Sequence, residues 1–288
     1  MASDQGPVIQ SAILRSELVH LRKARGMTQE KVAGSLEWSA SKLIRVEGGH
    51  SSITKVDLDA LLGQYGVTAE SERDRLQALN RGAKEAGWWE AYRGDTAADY
   101  LNYVGYEAGA SYIRQFPGTV MPGLLQTPQY AEALTVIGVE PVRVASVVRL
   151  RMQRQAELAR REPPPGRYFV LDEAVIRRHI GIEQDPAIMP NQLTHVVNQA
   201  QRDDRLTVRV IPFSKGAHAG LSGPFTLLEF DGGLPDVLYL DTGKGAINML
   251  TSDDRVSEYA DAFESLLKVA LPADESLAFI RAAAEEMS

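Results

Sequence analysis

Residues 27–49, MTQEKVAGSLEWSASKLIRVEGG, constrain the fold of this chain more than any other stretch. Thr28 can cap a first helix through Val32, Ala33 and Leu36, and Ser39 can cap a second one carrying Leu43 and Val46 at helical spacing. Only Leu36 to Ser39 separates them, too short a connection for an antiparallel hairpin, so the helices must cross steeply, and Ala33 must be small where they meet. Such a pair can place its second helix, about residues 39–47, in the major groove of DNA. On that helix Arg45 is long enough to reach a guanine edge bidentately, Ser41 can bond a base or a phosphate, and Ala40 can contact a thymine methyl. Gln29, Lys31 and Lys42, with Arg22, Lys23 and Arg25, would meet the sugar-phosphate backbone, fixing register without reading sequence.

Charge supports this once its distribution is considered. The whole chain carries −7, yet residues 11–55 hold eight Lys or Arg against four Glu, a local +4, leaving −11 elsewhere. A cationic head on an acidic body would orient the protein on a polyanion, although screening beyond about 8 Å limits the reach of the body.

These residues resemble the Xre/Cro-like helix-turn-helix family, the group of the phage lambda-type repressors. Gly26, Thr28, Gln29, Ala33, Leu36, Ser39, Ser41, Ile44, Glu47 and Gly49 carry the likeness, with the upstream helix 13–25 as lead-in. The resemblance implies a five-helix domain, so residues 53–65 and 69–86 become helices four and five, with Val56, Leu58, Leu61, Leu62 and Tyr65 as an apolar face. It places base contacts on Ala40, Ser41 and Arg45, with Gln29, Ser39 and Lys42 near the backbone.

At 288 residues the chain is longer than this unit requires, and we expect two domains, 1–86 and 87–288. The absence of cysteine excludes disulfides and thiolate sites, and no apolar run approaches a membrane span, so a soluble cytoplasmic protein without membrane contact is expected. Aromatic residues crowd between Trp88 and Tyr112 with few bases among them, which suits packing between domains or the lining of a ligand site better than base stacking. Thr127-Pro128 starts a helix, and an arginine-rich helix follows with Val144, Val147, Val148 and Leu158 as its stripe; its arginines, Arg151 and Arg154 among them, suit internal ion pairing. Residues 167–171, 206–211, 225–230 and 237–240 read as strands, with Asp231-Gly232-Gly233 and Thr242-Gly243 as turn signals and helices over 173–179, 189–202, 255–269 and 275–286. The expected class is α+β, an all-α five-helix lambda-repressor-like domain followed by a small, largely antiparallel sheet flanked by helices.

No catalytic pattern emerges. His179, His195 and His218 are isolated, with no HExxH spacing, so metal and catalytic residues are expected to be none and cofactors none. The run from Ser214 to Gly223 lacks the order of a phosphate loop and reads as a flexible hairpin or lid, and Asp172 and Glu173 read as a helix cap. The segments YEAGASYIRQF, MPGLLQTPQYAEAL, RLRMQRQAEL, NQLTHVV, VRVIPFSKGAHAGLSGPFTLLEF and DVLYLDT resemble the carboxy-terminal domain of an actinobacterial group of antitoxin-like helix-turn-helix regulators, with Met121 in place of a usual valine. That resemblance implies a small protein partner encoded nearby and supplies no catalytic residues. The expected partners are therefore double-stranded DNA, a second copy of the chain, that small protein and a small-molecule effector. The alternative is an enzyme tethered to DNA by its first domain, which would need converging titratable groups.

Overall fold

The computed structural model describes residues 6–232, 234–241, 247–250 and 253–288. The chain divides into two compact units, 1–90 and 91–288.

Among the described residues the first unit holds five α-helices, α1 Pro7–Ala24, α2 Gln29–Ser35, α3 Ala40–Glu47, α4 Lys55–Gln64 and α5 Glu70–Gly82. Hydroxyl caps set three of the starts: Thr28, Ser39 and Thr54 each accept a hydrogen bond from the backbone N–H three residues on. Leu18, Val32, Leu43, Leu58, Leu61, Leu62 and Leu76 form one core. Val56, expected on the apolar face, is 77% exposed instead. It lies two residues after the Thr54 cap, on the turn facing away from the stripe of Leu58, Leu61 and Leu62, and the residue before the cap, Ile53, joins the core in its place.

Helices α1 to α4 all end alike. The first residue beyond each cap is left-handed, at Gly26, Glu37, Gly49 and Gly66, with φ of 60°, 57°, 78° and 68°. Paired bonds then close each end, as where Glu37 N–H reaches Gly34 O and Trp38 N–H reaches Ala33 O. Glu37 is the one non-glycine of the four, and it stands in the turn between α2 and α3.

The second unit is built on a six-stranded sheet in the order β3-β2-β1-β4-β5-β6, from β1 Tyr112–Phe116, β2 Gly166–Asp172, β3 Leu206–Ile211, β4 Phe225–Glu229, β5 Val237–Asp241 and β6 Ile247–Leu250. Three of its pairings are antiparallel, including the expected β4–β5 pair, while β1–β2 and β2–β3 are parallel. The parallel half arises because helices α7 Pro128–Thr135 and α8 Pro141–Ala159 connect β1 to β2, and α9 Glu173–Arg177 and α10 Ile188–Arg202 connect β2 to β3. Gly233 and Thr242-Gly243, read as turns, lie outside the described residues.

On one face Phe116, Phe225, Leu227 and Leu238 pack with Phe263 and Leu266 of α11 Asp253–Val269. The chain closes with α12 Ala273–Glu286, against β3 and α10. Helix α6 Ala98–Glu107 precedes β1 and buries Arg154 of α8 against Glu107. The guanidinium bonds both carboxylate oxygens and the Tyr100 hydroxyl, and Tyr103 donates to Glu107 Oε2 at 2.8 Å. This is the internal pairing expected of the arginine-rich helix.

The 121–127 segment, MPGLLQT, is fixed by side-chain amides rather than by a ladder. Gln126 Nε2 donates to Met121 O at 2.7 Å, Gln155 Nε2 to Gly123 O and Gln126 O, and Gln192 Nε2 to Leu125 O at 2.6 Å. Met121 N–H donates to the Tyr130 hydroxyl and Thr127 N–H to Gln192 Oε1.

The glycine-rich run 214–223 joins β3 to β4, which do not pair with each other, so it is not the hairpin expected; most of its residues are exposed, and it is seated at two points. Gly220 presses on the Phe116 ring so closely that a Cβ there would lie 2.4 Å from it, and His218 is buried with Nε2 3.1 Å from Asp172 Oδ2. Asp172 caps α9 through Ala174 N–H, as its position suggested.

Candidate functional site

The second helix of the crossed pair, α3, is held by its buried side. Leu43 and Val46 face the core, and Glu47 at its last turn receives two bonds from Arg22 of α1, Nε to Oε1 at 2.7 Å and Nη2 to Oε2 at 2.8 Å. Arg22 also donates to Met27 O, and Gln29 Nε2 donates to Glu47 Oε2 at 2.7 Å. One carboxylate thus ties α1, the start of α2 and the end of α3 together. The hydrogen bonds that Arg22 donates to Glu47 raise the Arg22 pKa against the opposing effect of burial, so the guanidinium stays charged. Arg22 is therefore a strut, 11% exposed, and not the phosphate contact expected of it.

With α3 anchored from beneath, its outer face presents Ser39, Ser41, Ile44 and Arg45 to solvent. The Ser39 hydroxyl is engaged as the cap, accepting from Lys42 N–H. Arg45 is exposed, and its guanidinium has no hydrogen-bond or ion-pair partner among the described residues. Lys42 is engaged otherwise: its ammonium lies 2.9 Å from Asp57 Oδ1 and 3.8 Å from the centre of the Trp38 ring. Burial pushes the Asp57 carboxyl up, and the bonds from Lys42 and Thr54 outweigh it, leaving its pKa below the ordinary value.

The carboxy-terminal unit decides the family. Residues 100–282, more than half of the chain, match the model of a domain of unknown function, DUF5753. The chain belongs to the DUF5753 family. In this DUF5753 member a helix-turn-helix domain is matched over residues 13–76, which gives the architecture of a DNA-binding regulator. No curated protein and no solved structure matches the chain.

Of the sites read from the sequence of this DUF5753 protein, Lys31, Ser39, Ser41 and Arg45 are exposed, and Ala40, Gln29 and Lys42 are half-buried. Ala40, Ser41, Lys42 and Arg45 share α3, while Gln29 is committed to Glu47 at the first turn of α2. Sequence reasoning missed Glu47 as the anchor and Asp57 with Trp38 as the partners of Lys42, because those pairs join residues of different helices. Within the DUF5753 domain, Tyr100 and Tyr103 of the aromatic stretch line a cleft of about 150 Å³ beside the 121–127 segment. Among the described residues no helix is long and apolar enough to cross a membrane.

Proposed function

We propose that this protein is a sequence-specific transcription regulator of the Xre/Cro-like, antitoxin-like group, acting by binding rather than by catalysis. Helix α3 enters the major groove, with Arg45 on a guanine edge, Ser41 and Ala40 on neighbouring base edges, and Lys31, Ser39, Gln29 and Lys42 at the phosphates. The observation that carries the reading is the exposed Arg45 guanidinium, unpartnered among the described residues, on a helix clamped from its buried side by Arg22 and Glu47. A side chain meant for a base edge must be free, and its helix must be fixed, for bidentate geometry to discriminate.

One such head buries only about 600–1,000 Å² on DNA, so two copies on two half-sites about one helical turn apart supply the affinity. The carboxy-terminal domain dimerises or receives the signal, from a small protein encoded beside the gene or from a small-molecule effector. That signal acts only through unequal affinity for two states, and a coupling of about 1–3 kcal/mol changes operator affinity about 5- to 150-fold.

Footprinting on genomic fragments with the parent and with Arg45→Ala tests the reading. Two protected half-sites for the parent, with preference lost at one base pair per half-site in the variant, are expected. Equal operator affinity for both proteins would refute the assignment of Arg45.

A further inference from the structure

The cleft in the carboxy-terminal domain is walled on one side by a row of three side chains from adjacent strands. Gln115 of β1 is paired in register with Thr226 of β4, and Thr226 with Tyr239 of β5. Because side chains alternate across a strand, this row faces away from the Phe116, Phe225 and Leu240 layer that packs under α11. Tyr100 and Tyr103 of α6 and Arg151 of α8 complete the wall.

Two atoms in that row are anomalous. Oε1 of Gln115 and Oγ1 of Thr226 are buried with no hydrogen-bond partner among the described residues, and Thr226 is only 1% exposed. Buried polar atoms are nearly always satisfied, and leaving one unpaired is costly, so two side by side in one cleft favour a ligand that pairs with both. Gln115 Oε1 needs a donor, and the Thr226 hydroxyl can donate or accept.

The charge of the walls selects the sign of that occupant. Arg154 is neutralised by Glu107, but Arg151 has no carboxylate partner among the described residues: its bonds run from Nη1 to Gln126 Oε1 at 3.2 Å, Thr135 Oγ1 at 3.1 Å and Ala131 O, all neutral acceptors. Among the described residues no Asp or Glu lines the cleft. A guanidinium held only by neutral oxygens at a partly buried site is a standing attraction for a carboxylate. The rest of the lining is largely aromatic and apolar, with Tyr100, Tyr103, Tyr239 and Leu134, and the volume of about 150 Å³ is below that of drug-sized sites.

We propose that this cleft binds a small organic monoanion with a carboxylate for Arg151 and a nearby N–H or O–H donor for Gln115 and Thr226, on a short apolar body. The proposal rests on the signal-receiving reading of the carboxy-terminal domain, to which it gives a ligand class. N-acetylglycine, N-acetylalanine and 2-hydroxyisovalerate are the probes, with their methyl esters as uncharged controls, followed on the full chain by ligand-observed NMR and thermal melting. Binding of at least one acid in the millimolar range or tighter is expected, at least tenfold tighter than its ester. Arg151→Gln should weaken it at least tenfold.

Thr226→Val keeps the shape of the site and guards against a variant that merely fails to fold. It should raise the melting temperature of the free protein, by removing an unsatisfied hydroxyl, while reducing the stabilisation that the acid confers. Binding of none of the three acids, equal binding of their esters, or undiminished binding by both variants would overturn the proposal. Operator titration is run in parallel: a chain that binds DNA and no acid overturns the cleft assignment alone, and one that binds the acid and no DNA overturns the regulator reading alone.

Discussion

Arg22 and Glu47 meet through two parallel hydrogen bonds across 25 residues of chain, with side chains only 11% and 4% exposed. The pair belongs to the frame that presents α3, and breaking it differs from replacing it. Glu47→Ala leaves the Arg22 guanidinium buried without its counter-charge and should cost about 3 kcal/mol in urea unfolding. Arg22→Met with Glu47→Leu removes both charges and should recover most of that loss. A Glu47→Ala protein as stable as the parent would deny the pair its role.

Lys42 and Asp57 give a prediction of opposite sign for DNA. Asp57→Asn frees the ammonium and removes a negative charge beside it. Affinity for all sequences should rise and the salt slope steepen by about one unit, with sequence preference unchanged. Titration of operator and random duplex at several salt concentrations measures both, and an unchanged slope would show that Lys42 does not reach a phosphate.

Glu37 carries backbone strain at the turn between α2 and α3, where α1, α3 and α4 end on glycine in the same geometry. The left-handed conformation costs a non-glycine residue about 1–2 kcal/mol, and glycine returns part of that as chain entropy. Glu37→Gly should therefore stabilise the domain by about 0.5–1 kcal/mol in chemical denaturation. A destabilised variant would show that the Glu37 side chain contributes more than its backbone strain costs.

His195 of α10 has its Nε2 buried without a hydrogen-bond partner among the described residues, and burial holds its pKa below the ordinary 6.5. The unfolded chain therefore takes up a proton at higher pH than the folded one. The stability held above pH 6.5 should fall as the pH drops through that value toward the lower folded pKa, and level off beneath it. His195→Leu should flatten this part of a pH–stability curve measured by thermal melting, and an equally steep curve in the variant would point to another group.

The elements legible in the sequence are those whose signals are local. Thr28, Ser39 and Thr54 mark helix starts by their own hydroxyls, and the leucines at helical spacing in α4 mark its buried face. Strand β1 was not legible, because Arg114 and Gln115 interrupt its apolar run and its place is given by β2 and β4 on either side. Helix α6 was hidden in a stretch whose tyrosines dominated the reading, although Leu101 and Val104 mark its buried face. The parallel pairings depend on crossovers of 49 residues (117–165) and 33 residues (173–205), which no local signal reports. At the candidate site the exposed residues of α3 were legible from helical periodicity. The tie from Glu47 to Arg22 was not, since spacing alone cannot say which of several basic residues turns inward.

The 121–127 segment, held by the amides of Gln126, Gln155 and Gln192, has a consequence for how the second unit opens. A loop whose carbonyls are held by its own Gln126 amide and by amides from two separate helices cannot fray one residue at a time, because freeing one carbonyl strains the amide that holds the next. Its backbone should exchange hydrogen for deuterium as a single block with the slow core, so that Met121 and Thr127, which lie in no helix or strand, outlast amides at the ends of neighbouring helices. A stretch with no more regular structure than the single 3-10 turn Gly123–Leu125 would then be among the last parts of the domain to admit solvent.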